Sequence, residues 1–167
     1  NCTTAAQYFH LLRRQAALLL KDPLPLFVLT PKSLLRHPAV ASTPQELTEG
    51  RFMSVLDDVA ARERARDVRR LILCSGKVYV DLVSSDRYAA AKDVAIVRVE
   101  QLYPFPEVAL RDALAGYTKL DEVVWVQEEP ENMGAWEFTR PRLESMLGDR
   151  VPLRYIDRAR SASTSEG

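Results

Sequence analysis

The second half of the chain alternates short apolar runs with amphipathic segments that have helical spacing. The predicted strands are 69–77, 93–102, 122–129 and 151–157, and the predicted helices are 78–92, 106–117 and 134–149. Gly116 is placed to end the second of these helices. Strands that alternate with helices of this length are typical of βαβ units, in which helices cover both faces of a largely parallel sheet. We therefore expect an α/β fold.

The first half of the chain is less regular. Thr3 or Thr4 can cap a helix that ends before Pro23. The apolar side chains that share one face of this helix are Tyr8, Leu11, Leu12, Ala16, Leu19 and Leu20. The run LPLFVLT, residues 24–30, is rich enough in branched and aromatic residues to predict a buried strand that Pro31 ends.

An irregular excursion is predicted from about residue 31 to 66. It contains a short helix with Thr43 as its N-cap and Pro44 as its first residue. The stretch 51–58 can add an edge strand, and the arginine-rich stretch 59–70 is predicted to be a solvated connector. Residues 1–160 would then form one domain, and the serine-rich residues 161–167 a flexible tail.

Composition excludes several classes of function. The 167 residues carry 23 basic and 23 acidic side chains, so no net charge attracts nucleic acid or a membrane surface. The apolar runs are too short to cross a bilayer, which predicts a cytoplasmic protein. Cys2 and Cys74 stand far apart and are predicted to be reduced thiols, and His10 and His37 have no partners at metal-ligand spacing.

Two carboxylates, Glu128 and Glu129, follow the strand VVWVQ, at the end where parallel sheets place their ligands. Adjacent residues of an extended segment point to opposite faces, so the two cannot act together as acid and base, and we expect one to point inward. The turn with Asn132 and Gly134 then leads into the helix that carries Trp136. A structural joint is the favoured interpretation and a catalytic role the alternative.

Two further stretches are candidates for binding. Ser75, Gly76 and Lys77 form a strand-to-helix turn that could hold an anion or be an ordinary tight turn, although the spacing is not that of a Walker loop. The basic residues of TPKSLLRHP could contact carboxylates of a partner subunit, contact nucleotide phosphates, or lie on a polar surface; they are Lys32, Arg36 and His37.

Five strings in order resemble one family. YFHLLRRQ (8–15), PLFVLTPKSLLRHP (25–38), LILCSGKVYVDL (71–82), VAIVRVEQLYPFP (94–106) and WVQEEPENMGAW (125–136) are similar to the C-terminal domain of the thiamine-diphosphate-dependent first component of the 2-oxoglutarate dehydrogenase complex. The resemblance implies a three-layer α/β/α fold like the transketolase C-terminal domain. Its five-stranded mixed sheet would be mostly parallel with one antiparallel edge strand.

The resemblance also implies a function for the parent enzyme. Thiamine diphosphate and magnesium would support decarboxylation of 2-oxoglutarate in the tricarboxylic acid cycle, and the succinyl group would pass to a dihydrolipoyl acyltransferase component. This chain has no GDG followed by NN, the pattern that holds the cofactor, so it is expected to bind no cofactor and to be inactive alone. The first residue, Asn1, is not Met, which predicts either a processed chain or part of a longer polypeptide.

For this domain the resemblance implies an architectural role. It would pack against the rest of the parent chain and a second copy in a homodimer, with Lys32, Arg36, His37, Glu128, Glu129, Asn132 and Trp136 at the joint. The enzyme would be cytoplasmic in a bacterium and in the mitochondrial matrix in a eukaryote.

Regulation is a second implication. Actinobacterial relatives bind acetyl-CoA as an activator, and the positions that resemble their site are Arg14, Arg51, Ser54 and Gln101. Where those relatives have arginines, this chain has Glu107, Val108 and Ala109, which disfavours acetyl-CoA; AMP is a comparable candidate. Two alternatives for the whole domain stay open. It could come from a 2-oxoadipate dehydrogenase paralogue, or it could be a free-standing module that binds acyl-CoA or a nucleotide.

Overall fold

A computed structural model describes residues 2–163. The strands are β1 (Val55–Leu56), β2 (Arg70–Cys74), β3 (Val94–Val99), β4 (Glu122–Pro130) and β5 (Leu153–Arg158). The helices are α1 (Ala5–Leu18), α2 (Pro44–Thr48), α3 (Val59–Arg62), α4 (Val78–Val83), α5 (Asp86–Ala90), α6 (Glu107–Ala115) and α7 (Trp136–Leu147). Short 3-10 turns lie at Lys32–Leu34, Pro38–Val40 and Gly148–Arg150.

The five strands form one sheet in the order β1-β3-β2-β4-β5. β1 pairs antiparallel with β3 at one edge, and the other three pairings are parallel. Helices pack on both faces, so the predicted three-layer α/β/α fold with one antiparallel edge strand is confirmed. The central strands β2, β3 and β4 are largely buried on both faces, which explains why their sequences contain continuous apolar runs.

Each face of the sheet has its own apolar cluster. On one face, Leu71, Val97 and Trp125 pack with Leu110 of α6 and Leu143 of α7. The cluster on the other face is smaller and lies under α4 and α5; its buried members are Cys74, Val78, Ile96, Val124 and Val126. The two clusters together pack both faces of β2, β3 and β4, and these strands position the loops that follow them.

Several predicted caps and ends are confirmed. Thr4 caps α1, and its side chain accepts a hydrogen bond from the Gln7 N–H at 3.2 Å. Thr43 and Glu46 form a capping box at α2, with Pro44 as the first helical residue. Ser, Thr and Asp side chains at these positions satisfy N–H groups that the helix itself cannot.

The predicted helix 78–92 divides into α4 and α5. The Ser85 side chain accepts a hydrogen bond from the Arg87 N–H and so caps a new helix. Serine hydroxyls compete with the helix for backbone groups, so two adjacent serines favour a break at this point.

The predicted strand at 24–30 is wrong. This segment has no secondary structure, and Phe27 and Leu29 are 85% and 86% exposed. Its apolar composition satisfied the pattern for a buried strand, but the segment does not join the sheet, whose edge strands among the described residues are β1 and β5.

The apolar face predicted for α1 is largely exposed. Leu12 and Leu20 are 43% and 96% exposed, whereas Ala6, Gln7 and His10 are buried. Polar side chains hold the helix in place: Gln7 Nε2 donates to the Met53 carbonyl at 2.7 Å, and His10 Nε2 lies 2.7 Å from the Glu46 carbonyl. The apolar face of α1 points away from the domain.

The predicted tail at 161–167 lies partly outside the described residues. Within them, Ser161 is attached to the domain through Asn132, whose side chain both donates to and accepts from the Ser161 backbone at 2.9 and 3.1 Å.

Candidate functional site

A cleft lies at the carboxyl ends of the parallel strands. From β2 the chain passes to β3 on one side and then to β4 on the other, so the chain reverses its direction across the sheet at β2. Open α/β sheets have a crevice at such a switch point. The cleft here has a volume of about 740 Å³, and we call it the switch-point cleft. Its lining residues include Leu29, Thr30, Pro31, Ser75, Gly76, Lys77, Leu102, Tyr103, Trp125, Glu128, Glu129, Gly134, Ala135 and Phe138.

The buried side chain of Gln127 organises one wall of this cleft. Its amide oxygen accepts hydrogen bonds from the Trp125 indole N–H and the Trp136 backbone N–H, both at 3.0 Å. Its amide nitrogen donates to the carbonyls of Glu129, Pro130 and Met133 at 2.9 to 3.2 Å. One side chain therefore connects the end of β4, the following turn and the start of α7.

Gly134 allows the turn after β4 to close. Its φ of 65° lies in the left-handed region that glycine favours. A Cβ atom at this position would lie 3.0 Å from Glu129 Oε2 and 3.1 Å from Glu129 Cβ. The glycine therefore lets the chain turn into α7 with the Glu129 side chain packed directly against it.

The expectation that one of the two glutamates points inward is wrong. Glu128 and Glu129 are both exposed, and the buried polar residue of this stretch is Gln127. The reason is a register irregularity between Val126 and Pro130, which interrupts the strict alternation of a regular strand. Sequence analysis did not single out Gln127; its position one residue before the glutamates, at the end of an otherwise apolar strand, is the signal that could have indicated it.

Lys77 lies between two carboxylates. Its ammonium donates a hydrogen bond to Asp81 and contacts Glu128 Oε1 at 3.3 Å. Both bonds raise the pKa of Lys77, and the bond to Asp81 has the larger effect. The positive charge that could have held an anion at the Ser75–Lys77 turn is thus already neutralised, which favours the tight-turn interpretation.

The other predicted joint residues have different surroundings. Lys32 and Arg36 are exposed, and His37 Nδ1 accepts a hydrogen bond from the Ala39 N–H at 3.2 Å, which caps a 3-10 turn. Trp136 is 4% exposed and stacks on Tyr155, with 4.7 Å between ring centroids. Trp136 therefore holds α7 to β5 inside the domain, whereas Lys32 and Arg36 are free to contact a neighbour.

The structure brings together some of the predicted effector residues. Arg14 Nη1 donates to Gln101 Oε1 at 2.8 Å, and the Arg14 guanidinium lies 4.1 Å from the centroid of the Phe52 ring. The Ser54 carbonyl accepts from the Gln101 N–H at 3.1 Å.

Arg51 and Ser54 line two different cavities. The Arg51 cavity, of about 330 Å³, is lined by His10 and Glu46 among others, and the Ser54 cavity, of about 370 Å³, by Glu107 among others. The Glu107 carboxylate at this cavity is paired with the Arg111 guanidinium at 2.7 Å, and within residues 2–163 no cationic side chain lines the cavity to hold a phosphate group.

Two further features concern residues 2–163 as a whole. Residues 2–163 include no cluster of three or more His, Cys, Asp or Glu side chains arranged to hold a metal ion. Over the same range, no helix has both the length and the apolar character required to span a membrane.

Fold and cleft together define a three-layer α/β domain with a crevice at the switch point of its sheet. The sequence profile of the family described as 2-oxoglutarate dehydrogenase C-terminal matches residues 41–167. The chain belongs to this family, which confirms the family indicated by the sequence strings.

Full-length relatives agree with this assignment. The chain is 49%, 48% and 47% identical to proteins named 2-oxoglutarate dehydrogenase E1 component from Shouchella clausii, Bacillus pumilus and Geobacillus kaustophilus. Each match covers 100% of this chain and 18% of the relative. The chain therefore spans about a fifth of the length of these relatives.

Proposed function

We propose that this chain is the C-terminal domain of the decarboxylating component of a 2-oxoglutarate dehydrogenase complex, an oxidoreductase, and that its own role is architectural. The observation that carries the proposal is the match of the entire chain, at 49% identity, to 18% of a protein with that name. In the parent enzyme, thiamine diphosphate and magnesium would supply the decarboxylation chemistry, and the succinyl group would pass to a dihydrolipoyl acyltransferase. Residues outside this chain would hold the cofactor.

An exposed apolar surface supports the architectural role. We call it the arm surface; its residues are Leu12, Leu19, Leu20, Leu24, Phe27 and Leu29, which are 43% to 96% exposed. Soluble domains rarely expose so many large apolar side chains in one segment unless another polypeptide covers them. All six precede residue 41, where the match to the family profile begins. Preceding parts of the parent chain, together with a second copy in a homodimer, would cover this surface.

Charged residues continue the same surface. Lys32 and Arg36 are exposed just beyond Leu29, and they would contact carboxylates of the neighbouring polypeptide. Glu128, Glu129 and Asn132 would act at the joint beside the switch-point cleft. This arrangement supports an active site that the domain does not itself form.

Assays of the parent polypeptide test this proposal. With thiamine diphosphate and magnesium, we expect it to decarboxylate 2-oxoglutarate in a ferricyanide-reduction assay, while the isolated domain is inactive. A higher kcat/KM for 2-oxoadipate would identify the paralogue instead. The Glu128→Gln variant should assemble and remain active; loss of decarboxylation in a correctly assembled variant would contradict a purely architectural role.

Effector binding is a second candidate function, favoured by the Arg14–Gln101 contact. Calorimetric titration of the domain with acetyl-CoA and with AMP tests it. Saturable binding that disappears in Arg14→Ala, and persists in the distant Arg140→Ala, would support the effector site. Binding with full affinity to both variants would exclude this location.

A further inference from the structure

The switch-point cleft has unusually exposed apolar walls. Leu29 and Tyr103 both line the cleft and are 86% and 81% exposed. Leu102 and Phe138 extend the apolar wall inward and are partly buried. Because these side chains line a concave surface, an occupant could bury them together without any rearrangement of the sheet.

The charges that line the cleft favour a cation. The charged side chains that line it are one ammonium, Lys77, and two carboxylates, Glu128 and Glu129. Lys77 already contacts Glu128 and Asp81. Among residues 2–163, Glu129 has no ion-pair partner. The cleft therefore holds an unpaired negative charge, and a nucleotide phosphate, the usual ligand at such a switch point, would be repelled.

The aromatic side of the cleft also accepts a cation. The Arg142 guanidinium lies 3.8 Å from the centroid of the Phe138 ring. Tyr103 packs edge-on against the same ring, with 6.5 Å between centroids, and most of its own surface remains exposed. The outer face of Tyr103 could contact a second guanidinium or ammonium in the same way.

We infer that the switch-point cleft binds a peptide segment in which an arginine or lysine is flanked by apolar residues. The basic side chain would bond the Glu129 carboxylate and lie against Tyr103, while the flanking residues would pack on Leu29 and Phe138. The source of the segment is another part of the parent polypeptide, so the inference rests on the proposed function. It assigns to the cleft a partner of defined chemistry.

Photo-crosslinking of the parent polypeptide in cells tests the inference. We would place p-benzoyl-phenylalanine at position 29, where the exposed Leu29 can be replaced without loss of core packing, and identify the crosslinked peptide by mass spectrometry. We expect a single peptide of the parent chain that carries arginine or lysine beside apolar residues. Glu129→Gln should lower the yield by about tenfold, as loss of a charge-assisted contact implies. Glu144→Gln, an equally conservative change on the exposed surface of α7, should leave the yield unchanged.

The outcomes separate this inference from the proposed function. A crosslink to a peptide without a basic residue, a yield that Glu129→Gln does not change, a crosslink to another protein, or no crosslink at all would each overturn the inference. The mass of the uncrosslinked polypeptide on the same gel reports on the proposed function independently. A band at 18.9 kDa would refute the parent enzyme whatever the crosslink shows.

Discussion

The substitution Gln127→Leu tests whether the hydrogen bonds of Gln127 hold the end of β4, the following turn and the start of α7 together. Leucine has a similar size but neither donates nor accepts hydrogen bonds, so Gln127→Leu would leave the Trp125 indole N–H and the Trp136 backbone N–H without their acceptor. Both donors are buried, and a buried unsatisfied donor costs about 1–3 kcal/mol. Three carbonyls would also lose a donor. We expect the free energy of unfolding to fall by about 3–5 kcal/mol.

Urea unfolding followed by far-UV circular dichroism provides the measurement. The matched control is Gln45→Leu on the exposed surface of α2, which should change the free energy of unfolding by less than about 0.5 kcal/mol. If the free energy of unfolding of Gln127→Leu lies within about 1 kcal/mol of that of the unmodified chain, the hydrogen bonds of Gln127 do not hold β4 to α7, and the reasoning fails.

Three further predictions concern other parts of the domain. Thr43→Ala removes the capping box of α2 and should lower the free energy of unfolding, measured by thermal or urea unfolding, by about 1 kcal/mol. An unchanged free energy of unfolding would contradict this prediction. Burial raises the pKa of Cys74 from 9.0 to about 12, so the folded state binds the thiol proton more tightly than the unfolded state. This contribution to the free energy of unfolding should be fully present below pH 9 and should be lost between pH 9 and 12. Urea unfolding at several pH values measures the loss, which should be smaller in Cys74→Ala; an equal loss in both proteins would exclude the effect. Phe27→Ser should leave the stability of the isolated domain unchanged, because Phe27 is 85% exposed, but should reduce its self-association in sedimentation velocity; a large loss of stability would show that Phe27 is buried in solution.

The centre of the sheet was predictable because β2, β3 and β4 are largely buried on both faces. Continuous apolar runs such as VAIV, which begins at Val94, have few alternatives, and the helices between them follow the ordinary 3.6-residue period. The caps at Thr4 and Thr43 were predictable for a similar reason, since they depend on neighbouring residues alone.

The first forty residues were not predictable in the same way. An apolar run predicts that a segment is buried but does not identify the surface that covers it, and within the described residues 24–30 pairs with no strand of the sheet. The α1 helix is held by Gln7 and His10, whose partners Met53 and Glu46 are more than thirty residues away. Contacts of this range leave no trace in local periodicity.

The candidate site depends on strand pairing that the sequence alone does not show. The position of Glu128 and Glu129 at a strand end was readable, but the irregularity that exposes both of them arises from how β4 pairs with β5. The same pairing places Gln127 inside, and only the three-dimensional turn shows that its amide reaches five backbone and side-chain groups.

The most direct test of the central claim is the size of the native polypeptide. An antibody raised against this domain would be used to immunoblot extracts of the source cells. Because the chain corresponds to 18% of each of the relatives compared, we expect a band several-fold larger than 18.9 kDa. A single band at 18.9 kDa would contradict the account, since no parent enzyme would then exist for this domain to support.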